Sequence, residues 1–483
     1  MKPFYFNAKT GALALLLAYT FGLLLLNFLH YEIQTAGYPL QVDNSESVVL
    51  NEALRLKGGL GHLYKPLDSP PFLQVCYPPL YLWLAAKATP SSPGQLFLPG
   101  RLITFASSIL IMIILAFIIN RYSKSFFSVI AGLSLYVSSP LILHWSALIR
   151  VDLPGIFLMM LALALYLARP KRFAWLFIFP LLLGLFTKHT LIAFPAAIIA
   201  DSLIARDKSA LKSIGVFCLL GLTIFLVLSY LTDGLFYQHI VTYSILPWRP
   251  EILLNHARQF IGSHPYYPIL LAFYFNPFTR PYRSFRLITL GLFFSLIEFC
   301  FSGRIGTVSN FQLSFFIFAT IAIALSSFPL DRPRDLSAVW LLSVLIFAQL
   351  LHAAFFSNIS PSALKKHFRL NIKHANQINS LIRKTKGEIL TSDAQWALFN
   401  NKTFIFDSFA MSMLARKQLW DQSLIINRIS EETFSLIILD FDPRYPSEHQ
   451  KHQFTEEILT AIKKHYRFKT IIGGVGIFVP MSN

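Results

Sequence analysis

The chain has 483 residues, 54% hydrophobic and only 14% charged, and its mean hydropathy is +0.54. A soluble protein of this size needs more charge to cover its surface, so a water-soluble enzyme is excluded and a membrane protein is indicated. The formal charge of +18 falls mostly in short loops between apolar runs, which argues against a nucleic-acid partner. Cys76, Cys218 and Cys300 are far apart, and neither a disulfide framework nor a zinc spacing can be built from them.

A spanning helix needs roughly 20 mostly apolar residues. In chain order such runs lie at about 11–29, 101–119, 126–144, 153–168, 173–187, 189–205, 211–231, 266–278, 286–301, 308–328 and 336–356. The reading is a polytopic α-helical membrane protein of about eleven spans. The first run is long, and LNFLHYE after it offers no small-residue cleavage site, so it reads as a retained anchor. The runs 47–57 and 78–88 are too short to span and read as helices lying along the outer surface.

Lys and Arg positions set the orientation. With Lys2 and Lys9 cytoplasmic, the inside loops carry Arg121 and Lys124, then Arg169, Lys171 and Arg172, then Arg206, Lys208 and Lys212. Arg280, Arg283 and Arg286 follow, and finally Arg332 and Arg334. The opposite turns hold only Arg150, Lys188, Arg304 and the sparse Arg249 and Arg258. A bacterial inner membrane with a cytoplasmic N-terminus follows. Residues 30–100, 232–265 and everything beyond about 357 then lie outside, on the periplasmic side of a Gram-negative host.

From about 357 the character changes. GEILTSDA, TFIFD, FSLIILDFD and TIIGGVGIFV are short β-prone runs, separated by helical patterns at 408–429 and 448–465. They imply a small extracytoplasmic α/β domain at 357–483, after a membrane domain at 1–356. GGVG reads as a strand or turn rather than a nucleotide loop, since no helix can follow it.

The outer face gathers polar residues at the ends of apolar helices. Asp43 and Glu46 in QVDNSESVV precede a helical run, where Asp43 can cap the helix and Glu46 can complete a capping box. HWSALIRVDLP places Arg150 and Asp152 at an outer boundary; Asp152 ahead of Pro154 reads equally as a cap. LFTKHTL sets Lys188 and His189 between two apolar runs, where a cation is costly unless it snorkels or meets a partner. SGRIGTVSN adds Arg304 and Asn310 on the same side. Carboxylates that accept a proton, beside cations that hold a leaving phosphate, suit a reaction on a phosphate-linked substrate at the interface.

VDNSESVVLNEALRLKGGLGHLYKP, followed by YPPLYLWLAA and GRLITFASSILIMIILAFI, resembles the start of the C-type membrane glycosyltransferases. The groups it is most similar to are the protein O-mannosyltransferases and the aminoarabinose transferases that modify lipid A. SPLILHWSALIRVDLPGIFLMMLALALYL, LLLGLFTKHTLIAFPAA and GTVSNFQLSFFIFATIAIAL resemble later segments in order, so the likeness covers about residues 10–330. It implies inverting transfer of a sugar from a polyprenyl-phosphate donor to an extracytoplasmic lipid, glycan or protein acceptor. Asp43 becomes the base with Glu46 beside it, and Asp152 the second acidic residue. Arg150, Lys188, His189, Arg304 and Asn310 become donor-phosphate candidates. No cofactor is required; a divalent ion, with Asp43 and Asp152 as its candidate ligands, is optional. Two departures stand out: the first-loop acids are three apart rather than adjacent, and Tyr77 precedes the double Pro where the aminoarabinose transferases have Lys. The alternative is a multi-span transporter or lipid flippase, against which the spans are nearly free of charge, Glu298 being the clearest exception.

Overall fold

The computed structural model describes residues 8–90, 95–169, 173–275, 285–326, 336–356, 361–442 and 450–482. The basic loop residues Lys2, Lys171, Arg172, Arg280, Arg283, Arg332 and Arg334 lie outside them. In chain order, α1 (Ala8–Ala36) leads to α2 (Asn44–Leu56), α3 (Pro79–Ala88) and the long α4 (Leu98–Ser123). The run expected as one span at 126–144 is broken into α5 (Phe126–Ser138) and α6 (Pro140–Trp145). Pro140 lacks an amide and clashes with the preceding turn, so it can only begin a helix there. Then come α7 (Asp152–Ala168), α8 (Ile178–Thr187), α9 (Ala193–Ile204), α10 (Lys208–Leu231), α11 (Pro250–Ser263) and α12 (Tyr267–Phe275). They are followed by α13 (Arg286–Cys300), α14 (Leu313–Ser326) and α15 (Leu336–Phe356).

Helices thus occupy all eleven apolar runs. Among the described residues five are long and apolar enough to cross a membrane: Ala14–Ala36, Leu98–Ser123, Lys208–Leu231, Arg286–Gly303 and Ser309–Ser326. Others, such as Asp152–Ala168 and Ala193–Ile204, are apolar but shorter. This is a multi-pass membrane protein.

The chain divides into two compact units. The first comprises Met1–Ala36, Leu102–Thr223 and Pro247–Ile359. Its centre is α14, apolar on every side and buried from Phe316 to Leu325, as a helix surrounded by other helices must be. By contrast, α10 exposes Val216, Leu219 and Leu222, and α1 exposes Leu15, Leu16 and Leu23. Apolar surface this continuous is stable against lipid, not against water.

The second unit comprises Gly37–Arg101, Ile224–Leu246 and Ser360–Asn483. Here α2 packs against α3, burying Val49, Leu50, Ala53, Tyr81, Leu82 and Ala85. Further along lie α16 (Pro361–Lys384), β1 (Glu388–Thr391), α17 (Ala394–Leu398), α18 (Ser408–Arg416) and α19 (Ser423–Ser430). The rest is β2 (Phe434–Leu439), α20 (Glu456–His465), β3 (Tyr466–Ile472) and β4 (Val475–Pro480). The sheet runs β1-β2-β4-β3, with β1 and β2 parallel and the other pairs antiparallel. Alternation along β2 sends Leu436 and Ile438 toward Ile378 and Ile382 of α16, and Ile437 and Leu439 toward Met411, Ile425 and Ile458. GGVG is the hairpin turn: Gly473 (φ +58°) and Gly474 (φ +88°) supply the left-handed pair that a two-residue loop requires. TFIFD is not a strand of this sheet. Its backbone is taken by the first loop, where Phe72 donates to the Ile405 carbonyl at 2.7 Å and accepts from the Asp407 amide at 3.1 Å.

Candidate active site

In the second unit Asp43 caps α2, with extended backbone (φ −126°, ψ 138°). One carboxylate oxygen accepts from the Ser45 amide at 2.9 Å and from the Ser45 hydroxyl. The side chain also accepts from the Glu46 amide, the other half of the capping box, and is half-buried. The capping box is complete. Glu46 accepts from the Val42 amide at 2.7 Å and the Asp43 amide at 3.5 Å. The same carboxylate is gripped by Arg101, Nε to Oε1 at 2.9 Å and Nη2 to Oε2 at 2.8 Å, with both side chains fully buried. Arg101 also donates to the Tyr38 and Leu40 carbonyls. Glu46 therefore presents no open oxygen; it fixes the turn that carries Asp43.

Asp393, at the start of α17, holds the same turn from another side. It accepts from Ser47 Oγ at 3.1 Å, from the Gln41 amide group, and from Gln395 Nε2 at 3.0 Å. Burial, reinforced by the charge of Asp440, pushes its carboxyl up to about 7 despite these donors.

In the first unit Asp152 opens α7, but its carboxylate bonds none of the helix amides. The capping reading fails here because three side chains claim both oxygens. Lys188 Nζ donates to Oδ1 at 2.5 Å, Asn310 Nδ2 to Oδ1 at 2.8 Å, and Arg150 Nε to Oδ2 at 3.2 Å. All four groups are buried. A charge so placed is tolerable only because its partners are this close. The turn bearing Lys188 approaches α7 at Gly155, where a Cβ would come within 2.7 Å of Leu191 Cδ1 and 3.5 Å of Lys188 Cβ. Lys188 Nζ lies 4.7 Å from the Phe311 ring centre and the Arg304 guanidinium 5.3 Å from it, so one aromatic ring meets two cations. Arg150 lies over Trp145 at 5.0 Å. Two buried polar atoms belonging to these candidate residues, Asn310 Oδ1 and His189 Nδ1, have no hydrogen-bond partner among the described residues. An orphaned buried polar atom is costly, and a pair of them marks a place where a ligand completes the bonding.

Glu298 serves this cluster as well. Its carboxylate accepts from the Ala193 amide at 2.9 Å and from Ser314 Oγ at 2.6 Å. It caps α9, whose own N-cap residue Ile192 has no side chain able to do so. The charged residue that stood out within a span is thus a remote cap.

The sequence reading named Asp43, Glu46, Arg150, Asp152, Lys188, His189, Arg304 and Asn310 as candidates, and the first unit brings the last six together. It missed Arg101, Asp393, Gln41 and Ser47. A lone Arg after Pro99–Gly100 at the head of an apolar run was the available signal for Arg101. Asp393, 350 residues from Asp43, had none. Among the described residues no group of three His, Cys, Asp or Glu side chains gathers to hold a metal. Asp152, already facing two cations, is poorly suited to a third positive charge.

No protein-family profile and no curated protein matches the sequence; solved structures do. The apo crystal structure of ArnT from Cupriavidus metallidurans matches with a TM-score of 0.63 at 10% identity, covering 98% of each chain. The fold is that of ArnT. A second structure of that ArnT, bound to undecaprenyl phosphate, matches with a TM-score of 0.62 at 10% identity, covering 94% of this chain and 97% of ArnT. At this identity the likeness speaks for the fold alone. It agrees with the family resemblance of the motifs, since the ArnT fold runs through the segments that carry them.

Proposed function

We propose that the protein is a membrane glycosyltransferase that moves a sugar from a polyprenyl-phosphate donor to an extracytoplasmic lipid, glycan or protein. The observation that carries this is the cluster of buried Arg150 and Lys188 with half-buried Arg304 and its unpartnered polar atoms, set in a fold shared with an ArnT crystallised with undecaprenyl phosphate. The half-buried carboxylate of Asp43 takes the acceptor's proton as the nucleophile attacks the anomeric carbon. The lipid phosphate leaves from the opposite face, so the configuration inverts, and its charge is met by Arg150, Lys188 and Arg304. Asp152 keeps Arg150 and Lys188 in place while no donor is bound, and Glu46 positions Asp43. Neither moves a proton. His189 and Asn310 supply polar contacts to the donor.

The accompanying topology is eleven spans in a bacterial inner membrane, N-terminus cytoplasmic. Residues 30–100, 232–265 and 357–483 are assigned to the outside, with the membrane part ending near 356. Transport or lipid flipping is the weaker reading, because Glu298 is used up as a cap. It retains one point of support in Glu32 of α1, fully buried with neither oxygen hydrogen-bonded among the described residues.

The test is sugar transfer by purified protein in lipid from a panel of radiolabelled polyprenyl-phosphate donors, with Asp43→Asn alongside. Asn caps a helix as well as Asp does, so α2 is retained, while losing the base slows transfer about 10²–10⁴-fold. Full activity in Asp43→Asn would remove Asp43 as the base. Protein-dependent movement of donor across the bilayer with no transfer to any acceptor would favour the transport reading.

A further inference from the structure

At the other ends of α7, α9 and α13 from the Asp152 cluster, the first unit has a second polar site. The 17 residues of α7 separate the two by about 25 Å, close to the thickness of a hydrocarbon layer. This second site is a cavity of about 210 Å³ lined by Tyr122, Tyr166, Leu167, Arg169, Asp201, Arg286 and Leu287. Arg286 Nε donates to Asp201 Oδ1 at 2.7 Å and Nη2 to the Asp201 carbonyl at 3.4 Å, while Nη1 has no partner among the described residues. The Tyr166 hydroxyl donates to Asp201 Oδ2 at 2.7 Å. Arg169 lies on the Tyr166 ring at 3.8 Å and pairs with Asp207. Its carbonyl-directed Nε closes the end of α7 on the Tyr166 carbonyl at 2.8 Å.

Three kinds of donor remain open toward the cavity. They are the unused guanidinium nitrogen of Arg286, the Tyr122 hydroxyl, which has no partner among the described residues, and the first turn of α13. That helix begins at Arg286 with no side-chain cap among the described residues, so its leading amides and the positive end of its dipole can meet an anion. The arginine side chains keep 30% and 36% of their surface, enough to be reached from outside. Exposed Arg121, Lys124, Lys208 and Lys212 stand at the ends of α4 and α10 on this same side.

We propose that this cavity binds the phosphate of an anionic membrane-lipid headgroup. A phosphate diester fits the volume and matches the flat fork of a guanidinium. Asp201 pre-orients Arg286 but lowers affinity for any anion, so a dissolved phosphate binds poorly. A lipid is already held in the leaflet at high effective concentration and does not face that limit. The site is separate from the proposed transfer reaction and stands whether or not that reaction is right.

The test is native mass spectrometry of the full chain in detergent, titrated with phosphatidylglycerol, phosphatidylcholine or inorganic phosphate. Wild type, Arg286→Gln and Tyr122→Phe are compared. Wild type should prefer phosphatidylglycerol over phosphatidylcholine, and Arg286→Gln should weaken that binding about tenfold, as expected for losing a charge-assisted bond. Tyr122→Phe leaves the Asp201 ion pairs intact and should weaken it several-fold, so the proposal remains exposed even if Arg286→Gln does not fold. Equal retention of both lipids by wild type, or unchanged binding in both variants, overturns it. Inorganic phosphate binding as tightly as the lipid overturns the lipid assignment.

Discussion

Asp393→Asn should alter the pH dependence of stability in a direction that can be worked out in advance. The Asp393 carboxyl rises from 3.8 to about 7 on folding, chiefly through burial and then through Asp440. Below about pH 4 it is protonated in both states and contributes nothing. Between pH 4 and 7 the unfolded chain releases the proton and the folded one keeps it, so stability falls as pH rises. Above pH 7 the native carboxylate is ionised and the loss is complete. At about 1.4 kcal/mol per pH unit the loss is on the order of 4 kcal/mol. Asn keeps the shape and an acceptor for Ser47 but cannot ionise. The measurement is the thermal unfolding midpoint of both full-length proteins in lipid nanodiscs from pH 4.5 to 8, compared at each pH so that other groups cancel. The midpoint of Asp393→Asn should climb relative to wild type by several degrees across that range and level off near pH 7.5. A constant difference, or wild type gaining as pH rises, would refute the reasoning. It would mean that Ser47, Gln41 and Gln395 hold the carboxylate ionised in the folded protein.

Lys188→Met leaves Asp152 buried with half its charge unmet and should cost about 3–5 kcal/mol; adding Asp152→Asn should restore part of the loss. Strictly additive unfolding shifts in that cycle would show that the two side chains do not depend on each other. Glu298→Ala strips acceptors from the Ala193 amide and Ser314, and should lower the unfolding midpoint by the equivalent of about 1–3 kcal/mol. Glu298→Gln should cost less, and equal effects would remove the capping role. Gly473→Ala forces a side chain into φ +58° and sets its Cβ 2.6 Å from the His374 ring. Its cost is about 1–2 kcal/mol, and hydrogen exchange should report it as faster exchange confined to β3 and β4.

The first-loop acids show why parts of the site could be read from local pattern. A cap and its box are local: Asp43 and Glu46 lie three residues apart on one helix start, and the spacing alone places Glu46 over the amides it accepts from. The same reasoning failed at Asp152, where a cap was equally permitted by Pro154. Lys188 and Asn310, 36 and 158 residues away, took the carboxylate instead. Charge-assisted bonds in a buried setting outcompete a neutral amide, and nothing in the local sequence announces them. TFIFD was misread for a similar reason. Its β-propensity is real, but the partner that accepted its backbone was Phe72 of a distant loop rather than a strand of the sheet.

By itself the sequence determined that the protein crosses a membrane, where its helices lie, that a small α/β portion follows them, and which residues stand at helix ends. These follow from hydropathy, period and capping chemistry, all set within a few residues. Tertiary structure alone decided that Asp152 is tied by Lys188, Arg150 and Asn310, that Arg101 and Asp393 grip the turn bearing Asp43, and that Glu298 is a cap. It also gathered Tyr122, Arg169, Asp201 and Arg286 around one cavity. Each of these depends on buried polar groups finding partners from distant parts of the chain. Inside an apolar interior such pairings are enforced by the cost of leaving a charge or an amide unmet, and only the folded chain shows which partner meets it.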